Sequence, residues 1–378
     1  MKAIINAKIY TEDKVIDNGY IVFDETIVEI NEGTYKGEAD IIDARGNILL
    51  PGFIDIHIHG GYGADSMDAT HESLDKLTKG ILIEGTTSFL PTTMTESIPR
   101  IKLALENIAS FESKGAEILG VHLEGPFISE FKVGAQDPQF VIRPTIDMIN
   151  SFSDAAKQQI KIITIAPEVE GASEAIAHFN HIIFSAGHTI ASFDEMNKAV
   201  EHGLRHITHL YNAATGFTHR EPGAFAAAWL NDGLNTECIV DGVHSHPAAV
   251  KIAYRLKGRD KFMVITDAMR AKGLGDGESE LGGQKVNVVG NEARLDDGTL
   301  AGSVLKMNDG LKNFIAFTDE SLENAWRVMS YNQAVALGVD DRIGSIKIGK
   351  QADLVLLDVE FNVLSTVKRG YSIYNREE

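Results

Sequence analysis

Apolar and polar positions fall into two textures along the chain. Over residues 1–50, and again over 341–378, short stretches alternate apolar with polar residues between Asp, Asn and Gly turns: 2–6, 19–23 and 27–30 at the start, 344–349 and 352–358 at the end. A period of two predicts strands with one face inward. The shared texture predicts that the two ends meet in one small unit, as chain termini often lie close together. Over 51–340 apolar runs instead alternate with amphipathic stretches of helical period. The runs are 53–59, 86–91, 118–124, 161–167, 182–188, 206–211, 238–244 and 262–267; helical stretches include 73–84, 98–111, 193–202 and 248–256. Such alternation predicts parallel strands, and eight units close into a TIM-type (β/α)8 barrel. The expected architecture is therefore α/β, a barrel over 51–340 with a small β-sandwich domain formed by the N- and C-terminal segments, 1–50 plus 341–378. Residues 273–297, rich in glycine and charge, predict a hairpin insertion over the barrel mouth. A doubly wound open sheet is the competing architecture, but no Gly-rich dinucleotide fingerprint follows the first candidate strand.

The first run of the barrel is Phe53-Ile54-Asp55-Ile56-His57-Ile58-His59. On a strand, Asp55, His57 and His59 share one face and the isoleucines the other. Two imidazoles two residues apart point the same way, within reach of one small cation. Barrel enzymes carry their reacting groups at the C-terminal ends of strands. Here the runs end in His57 and His59, Glu124, His188, His209, His244 and Asp267. This nitrogen and oxygen donor set suits Zn, Fe(II), Mn or Co, and with no thiolate nearby it does not describe a closed structural zinc site. Each residue also has a plainer role open to it: His188 as a loop histidine, His209 as a hydrogen-bonded core histidine, Asp267 as a helix N-cap. His71, His178, His181 and His202 lie on predicted helices or strand starts and are not expected in the site. His122 shares a face with Glu124 and fills the interior or supports a ligand. Arg220, in a Gly-rich loop after the sixth run, has a planar fork of donors suited to phosphate, or it pairs with Glu221 at the surface.

Composition narrows the partners. Of 378 residues 44% are hydrophobic and 24% charged, which is ordinary for a folded chain, and the formal net charge of −19 argues against nucleic acid or an anionic membrane surface. An anionic substrate therefore needs a local cluster of basic groups. The single cysteine, Cys238, sits in an apolar run, permits no internal disulfide and is expected to pack in the core. No apolar run approaches the length of a membrane span and the first ten residues lack a signal-peptide core, so a cytoplasmic setting is expected.

Several segments together carry a more specific signal: His57-Ile58-His59-Gly60, His122-Leu123-Glu124-Gly125-Pro126-Phe127, Ala186-Gly187-His188-Thr189, Thr208-His209-Leu210-Tyr211-Asn212-Ala213, His219-Arg220-Glu221-Pro222-Gly223, Asp241-Gly242-Val243-His244, Thr266-Asp267-Ala268 and Leu300-Ala301-Gly302-Ser303. Over nearly the whole chain this set resembles the N-acetylglucosamine-6-phosphate deacetylases of the amidohydrolase superfamily. The His-x-His element marks only the superfamily; the His-Leu-Glu-Gly-Pro-Phe and Arg-Glu-Pro-Gly segments narrow it. The resemblance implies a metal-dependent hydrolase that releases acetate from an acetamido phosphosugar. It implies Glu124, His188 and His209 as ligands of a main metal, with His57 and His59 completing a second site, so one or two divalent ions per subunit. It implies Asp267 as general base and acid, and substrate contacts at Ala135, Gln136, Asn212, Ala213, Arg220, His244, Leu300, Ala301 and Gly302. It further implies a homodimer in which Arg220 and His244 reach the phosphate across the interface. The chain departs from the pattern at Gly134-Ala135-Gln136, where many members have histidine. A glutamine amide can donate to an acetyl oxygen or a sugar hydroxyl but cannot carry a proton. Cyclic amidases of the same superfamily, the nearest rival, usually bridge two metals with a carboxylated lysine ending strand four. Here that run ends Ile165-Ala166-Pro167-Glu168 and its only lysine, Lys161, begins it. A scaffold that has lost its chemistry, the rival of a different class, would lack ligands, and none is missing.

Overall fold

The structure is a computed structural model and describes residues 1–376. The two ends of the chain meet in one sheet. Lys2–Tyr10 pairs antiparallel with Val15–Phe23 on one edge, and on the other runs parallel first to Asp40–Asp43 and then to Ile48–Pro51. Leu354–Leu357 lies antiparallel on Ile48–Pro51, with Leu354 opposite Pro51 and Leu357 opposite Ile48. These inner strands are apolar at almost every position because both faces are covered. Leu49, Leu354 and Leu356 join a cluster with Ile9, Ile21 and Phe23, while Leu50, Val355 and Leu357 face the large core of the central region. The sequence predicts a sandwich; the strands form one continuous eight-stranded hydrogen-bonded sheet. Continuity arises because Lys2–Tyr10 carries ladders on both of its edges.

The central region alternates parallel strands with helices. Phe53–Ile58, Thr86–Pro91 and Glu117–Ile118 form one parallel sheet; Val121–Glu124, Ile160–Ile165, Ile183–Ala186, Leu204–Ile207, Asn235–Ile239 and Phe262–Ile265 form another. Isolated parallel bridges, Thr92 to His122 and Ile58 to Ala268, join the two sheets at both seams. The strands carry Ile, Val and Phe on outward positions against helices such as Phe193–His202. That helix begins at a Ser192/Glu195 capping box and ends at Gly203, whose φ of 123° suits glycine. Among the described residues no helix is long and apolar enough to cross a membrane.

The insertion carries more than the hairpin expected. Gly277–Leu281, Gln284–Val289 and Glu292–Leu295 form a three-stranded antiparallel sheet. Gly282 and Gly283, both at positive φ, make the first two-residue turn, and Gly290-Asn291 makes a second that returns the extra strand.

Candidate metal centre

The site residues sit where the parallel strands end. Glu124 is the last residue of its strand, and His188, His209 and Asp267 each lie two residues beyond theirs. These last three have positive φ, 48°, 29° and 49°. An L-residue in the left-handed region is strained, and such strain at three strand ends of one sheet marks a place where side-chain direction outweighs backbone comfort. Packing leaves little room for alternatives: a Cβ on Gly187 would meet Thr164 and Thr208 at 2.8 Å, and one on Gly302, whose φ is +62°, would meet the Asp267 carbonyl at 3.1 Å.

Glu124 is the hub. Its Oε1 lies 3.0 Å from His209 Nε2 and 3.2 Å from His188 Nε2, and its Oε2 lies 3.2 Å from His59 Nε2. Asp267 Oδ1 is 3.2 Å from His59 Nε2 and 3.4 Å from His57 Nε2. All five ligand candidates are buried. His188 Nδ1 faces the Lys132 carbonyl at 2.9 Å and His59 Nδ1 the Thr92 carbonyl at 3.3 Å, so their protons belong on Nδ1 and their Nε2 lone pairs face inward. The Nε2 atoms of His188 and His209 are 3.1 Å apart. Lone pairs of two imidazoles and a carboxylate directed at one point repel unless a cation or protons lie between them. The donor set fits a divalent cation held by Glu124, His188 and His209, and a second one held by His57, His59 and Glu124.

The electrostatics agree with that need for positive charge. Burial alone would push the imidazoles down, yet Glu124 and Asp267 hold His57 well above the usual range, and the same carboxylates bring His59 to about 9. Burial would raise Asp267, but His57 and His59 outweigh it and bring it to about 2; Glu124 is likewise lowered. His122 is different. Burial, reinforced by His57, lowers it to about 3, and its nitrogens are used by the Ile56 carbonyl at 3.0 Å and Thr164 Oγ1 at 2.8 Å. It is a satisfied core histidine.

A cavity of about 540 Å³ opens over the cluster. Of the residues singled out from the sequence, Ala135, Gln136, Asn212, Ala213, His244, Leu300 and Gly302 line it, together with His59, Glu124, His188, His209 and Asp267. His57 lies beneath it, Ala301 is fully buried, and Arg220 is exposed outside it. Gln136 lines the cavity and is also anchored within the protein: its Nε2 donates to Glu124 Oε2 at 2.8 Å and its Oε1 accepts the Thr95 N–H at 2.6 Å. Both ends of the amide thus orient the hub. His244 Nδ1 lies 2.6 Å from Asp241 Oδ2, while the other oxygen of Asp241 accepts the N–H groups of Val243 and His244. The alternative partner of Arg220 is occupied: Glu221 Oε1 accepts the backbone N–H of Phe193 and of Gly223.

Some functional neighbours have no clear signature in the sequence. Lys132, Met94, Leu281, Arg294 and Thr299 also line the cavity, Leu281 and Arg294 from the insertion sheet. Gln284 Nε2 donates to the Ala135 carbonyl at 2.6 Å and so ties that sheet to the mouth. Asp55 is buried directly under the site, accepting from Thr266 Oγ1 at 2.5 Å, and its desolvation raises it to about 6. Its place on the polar face of the first run was the signal. Glu237 carries no such signal, because the seventh apolar run, 238–244, begins one residue after it.

Residues 48–373 match the model of the amidohydrolase family. The chain is 44% identical over 373 residues to N-acetylglucosamine-6-phosphate deacetylase of Bacillus subtilis, covering 96% of this chain and 94% of the relative. The structure of N-acetylglucosamine-6-phosphate deacetylase from Pasteurella multocida superposes with a TM-score of 0.92 at 31% identity, over 98% of this chain and 99% of that one. An aspartate-to-alanine mutant of the Mycobacterium smegmatis deacetylase, in complex with N-acetyl-D-glucosamine-6-phosphate, gives 0.93 at 29% identity, over 98% and 99%. Strand ends, ligand cluster and whole-chain similarity converge, and the chain belongs to the amidohydrolase family and, within it, to the N-acetylglucosamine-6-phosphate deacetylases.

Proposed function

We propose that the chain hydrolyses the acetamido group of N-acetylglucosamine 6-phosphate to glucosamine 6-phosphate and acetate. The observation that carries the reading is the convergence of Glu124, His188 and His209 with Asp267 across the floor of one cavity. A divalent cation, Zn, Fe(II), Mn or Co, bound there supplies a water of lowered pKa and polarises the acetyl carbonyl. Asp267, ionised because His57 and His59 outweigh its burial, takes a proton from the attacking water and returns it to the departing amine nitrogen. Gln136 keeps Glu124 in place, leaving one amide proton of Nε2 for the acetyl oxygen. The lining backbone at Ala213, Leu300 and Gly302 confines the sugar.

The phosphate is the part of the substrate that needs positive charge. His244 lines the cavity of its own chain, so we assign it to the phosphate of that same chain's substrate rather than across an interface. Arg220 is exposed and, among the described residues, has no ion-pair partner, which supports its reaching the neighbouring cavity in a homodimer. The closure of the two parallel sheets into one eight-stranded barrel over 51–340, with Glu117–Ile118 and Val121–Glu124 taken as one strand interrupted at 119–120, the separate β domain of 1–50 plus 341–378, here in the form of a sheet wrapped on its own core, and the cytoplasmic setting belong to the same reading. The test is product analysis: metal-loaded protein incubated with N-acetylglucosamine 6-phosphate should release acetate and a free amine in equal amounts. No acetate, with substrate recovered intact, would send the chain to other amide bonds.

A further inference from the structure

Below the cavity floor a carboxylate is only half used. Glu237, within Asn235–Ile239, is fully buried and does not line the cavity. Asn235 Nδ2 donates to His206 Nε2 at 3.0 Å, which puts the His206 proton on Nδ1, and that nitrogen donates to Glu237 Oε1 at 2.9 Å. The other oxygen, Oε2, has no hydrogen-bond partner. It lies 3.8 Å from Nδ1 of His57, and both nitrogens of His57 are likewise without a partner. A buried acceptor and a buried nitrogen left unpaired side by side are each penalised, and a shared proton relieves both. Side-chain movement of roughly 1 Å would bring the pair to hydrogen-bond length.

The same neighbourhood brings donor atoms of His57, His122 and Glu237 together, which raises the possibility of a cation there. That alternative fails on His122, whose two nitrogens are already engaged by the Ile56 carbonyl and Thr164 Oγ1. What remains to pair there is one carboxylate oxygen and the His57 nitrogen that faces it, Nδ1.

We propose that Glu237 is a positioning residue for the second metal position: Oε2 accepts the Nδ1–H of His57, fixing the tautomer in which Nε2 presents its lone pair between His59 and Glu124. His206 and Asn235 hold the carboxylate from behind, so the chain Asn235, His206, Glu237, His57 runs from the barrel interior to the ion. A carboxylate behind a ligating histidine sets ring orientation and raises ligand basicity. The inference rests on the metal-site reading above.

The test is zinc titration of metal-stripped protein by calorimetry, with bound zinc counted by mass spectrometry. Wild type should take two ions per chain. In Glu237→Gln the amide oxygen keeps the His206 proton and turns an NH2 towards His57, so the second ion should weaken about 10- to 100-fold while the first is retained. Glu237→Asp, which keeps the charge, should recover part of the loss. In a His57→Gln background the Glu237→Gln change should weaken uptake no further. Two ions held at wild-type affinity in Glu237→Gln would overturn the proposal, as would an equal further loss without His57, which would assign Glu237 to the fold. A wild-type chain that takes one ion would overturn it too, yet acetate release would still leave the deacetylase reading standing.

Discussion

Asp267 and Glu124 are both buried carboxylates with lowered pKa, and their surroundings give them different work. Glu124 is enclosed by four imidazoles, those of His57, His59, His188 and His209, and by the Gln136 amide. Asp267 is the more exposed of the two and faces the cavity with one oxygen beside His57 and His59. Asp267→Asn preserves shape and removes proton transfer. It is expected to lower kcat by about 10² to 10⁴-fold with KM little changed, read by steady-state acetate release. A variant within a few-fold of wild-type kcat would remove Asp267 from the proton path. Gln136 shows what residue type alone does not carry: an amide near the site reads as a substrate donor, and the structure adds that Thr95 and Glu124 engage its oxygen and one of its two amide protons.

The loop after Phe262–Ile265 carries Asp267 and is anchored at its far end by Lys272, which is fully buried with its Nζ 2.8 Å from Glu84 Oε1. Glu84 also accepts Tyr62 Oη and the Met307 N–H, so one carboxylate joins the first helix's trailing turn, the first strand's loop and the helix Met307–Thr318. Lys272→Met leaves that carboxylate buried without its cation and should destabilise by about 3–5 kcal/mol in urea unfolding, with Lys272→Met/Glu84→Gln recovering part of it. An unchanged midpoint would show that the pair does not hold the loop. The strands and their ligand-bearing ends were legible from apolar runs ending in His, Glu or Asp, because parallel strands buried on both faces read as near-continuous apolar stretches. Their limits were less so. The sixth apolar run spans 206–211, whereas the strand is Leu204–Ile207 and His209 lies on the left-handed turn after it. Apolar character continues through that turn, so hydrophobicity does not mark the strand end. The third strand of the insertion is illegible for a related reason: Glu292-Ala293-Arg294-Leu295 has too few apolar residues to register as a strand.

For the molecule as a whole, the excess of carboxylates at the site is matched either by protons or by metal. In metal-free protein His59, raised to about 9 against an ordinary 6.5, stabilises the fold fully below about pH 6.5 and loses that contribution as pH rises through 9. Asp267, lowered to about 2, contributes above about pH 3.8 and loses its contribution as pH falls through 2. Stripped protein should therefore lose thermal stability between about pH 6.5 and 9, while metal-loaded protein holds its Tm there, because the cation replaces the departing protons. Equal Tm profiles with and without metal would contradict a site built for a cation. Net charge acts in the opposite sense on substrate: at −19 the chain repels anions overall, so a phosphosugar needs local basic groups, the part proposed above for His244 and for Arg220 of a second copy. The most direct measurement is kcat/KM for N-acetylglucosamine 6-phosphate beside the same sugar without its phosphate. Charge-assisted contacts from two basic side chains predict a preference for the phosphorylated sugar of about 10²-fold or more. Equal values for the two sugars would contradict the account.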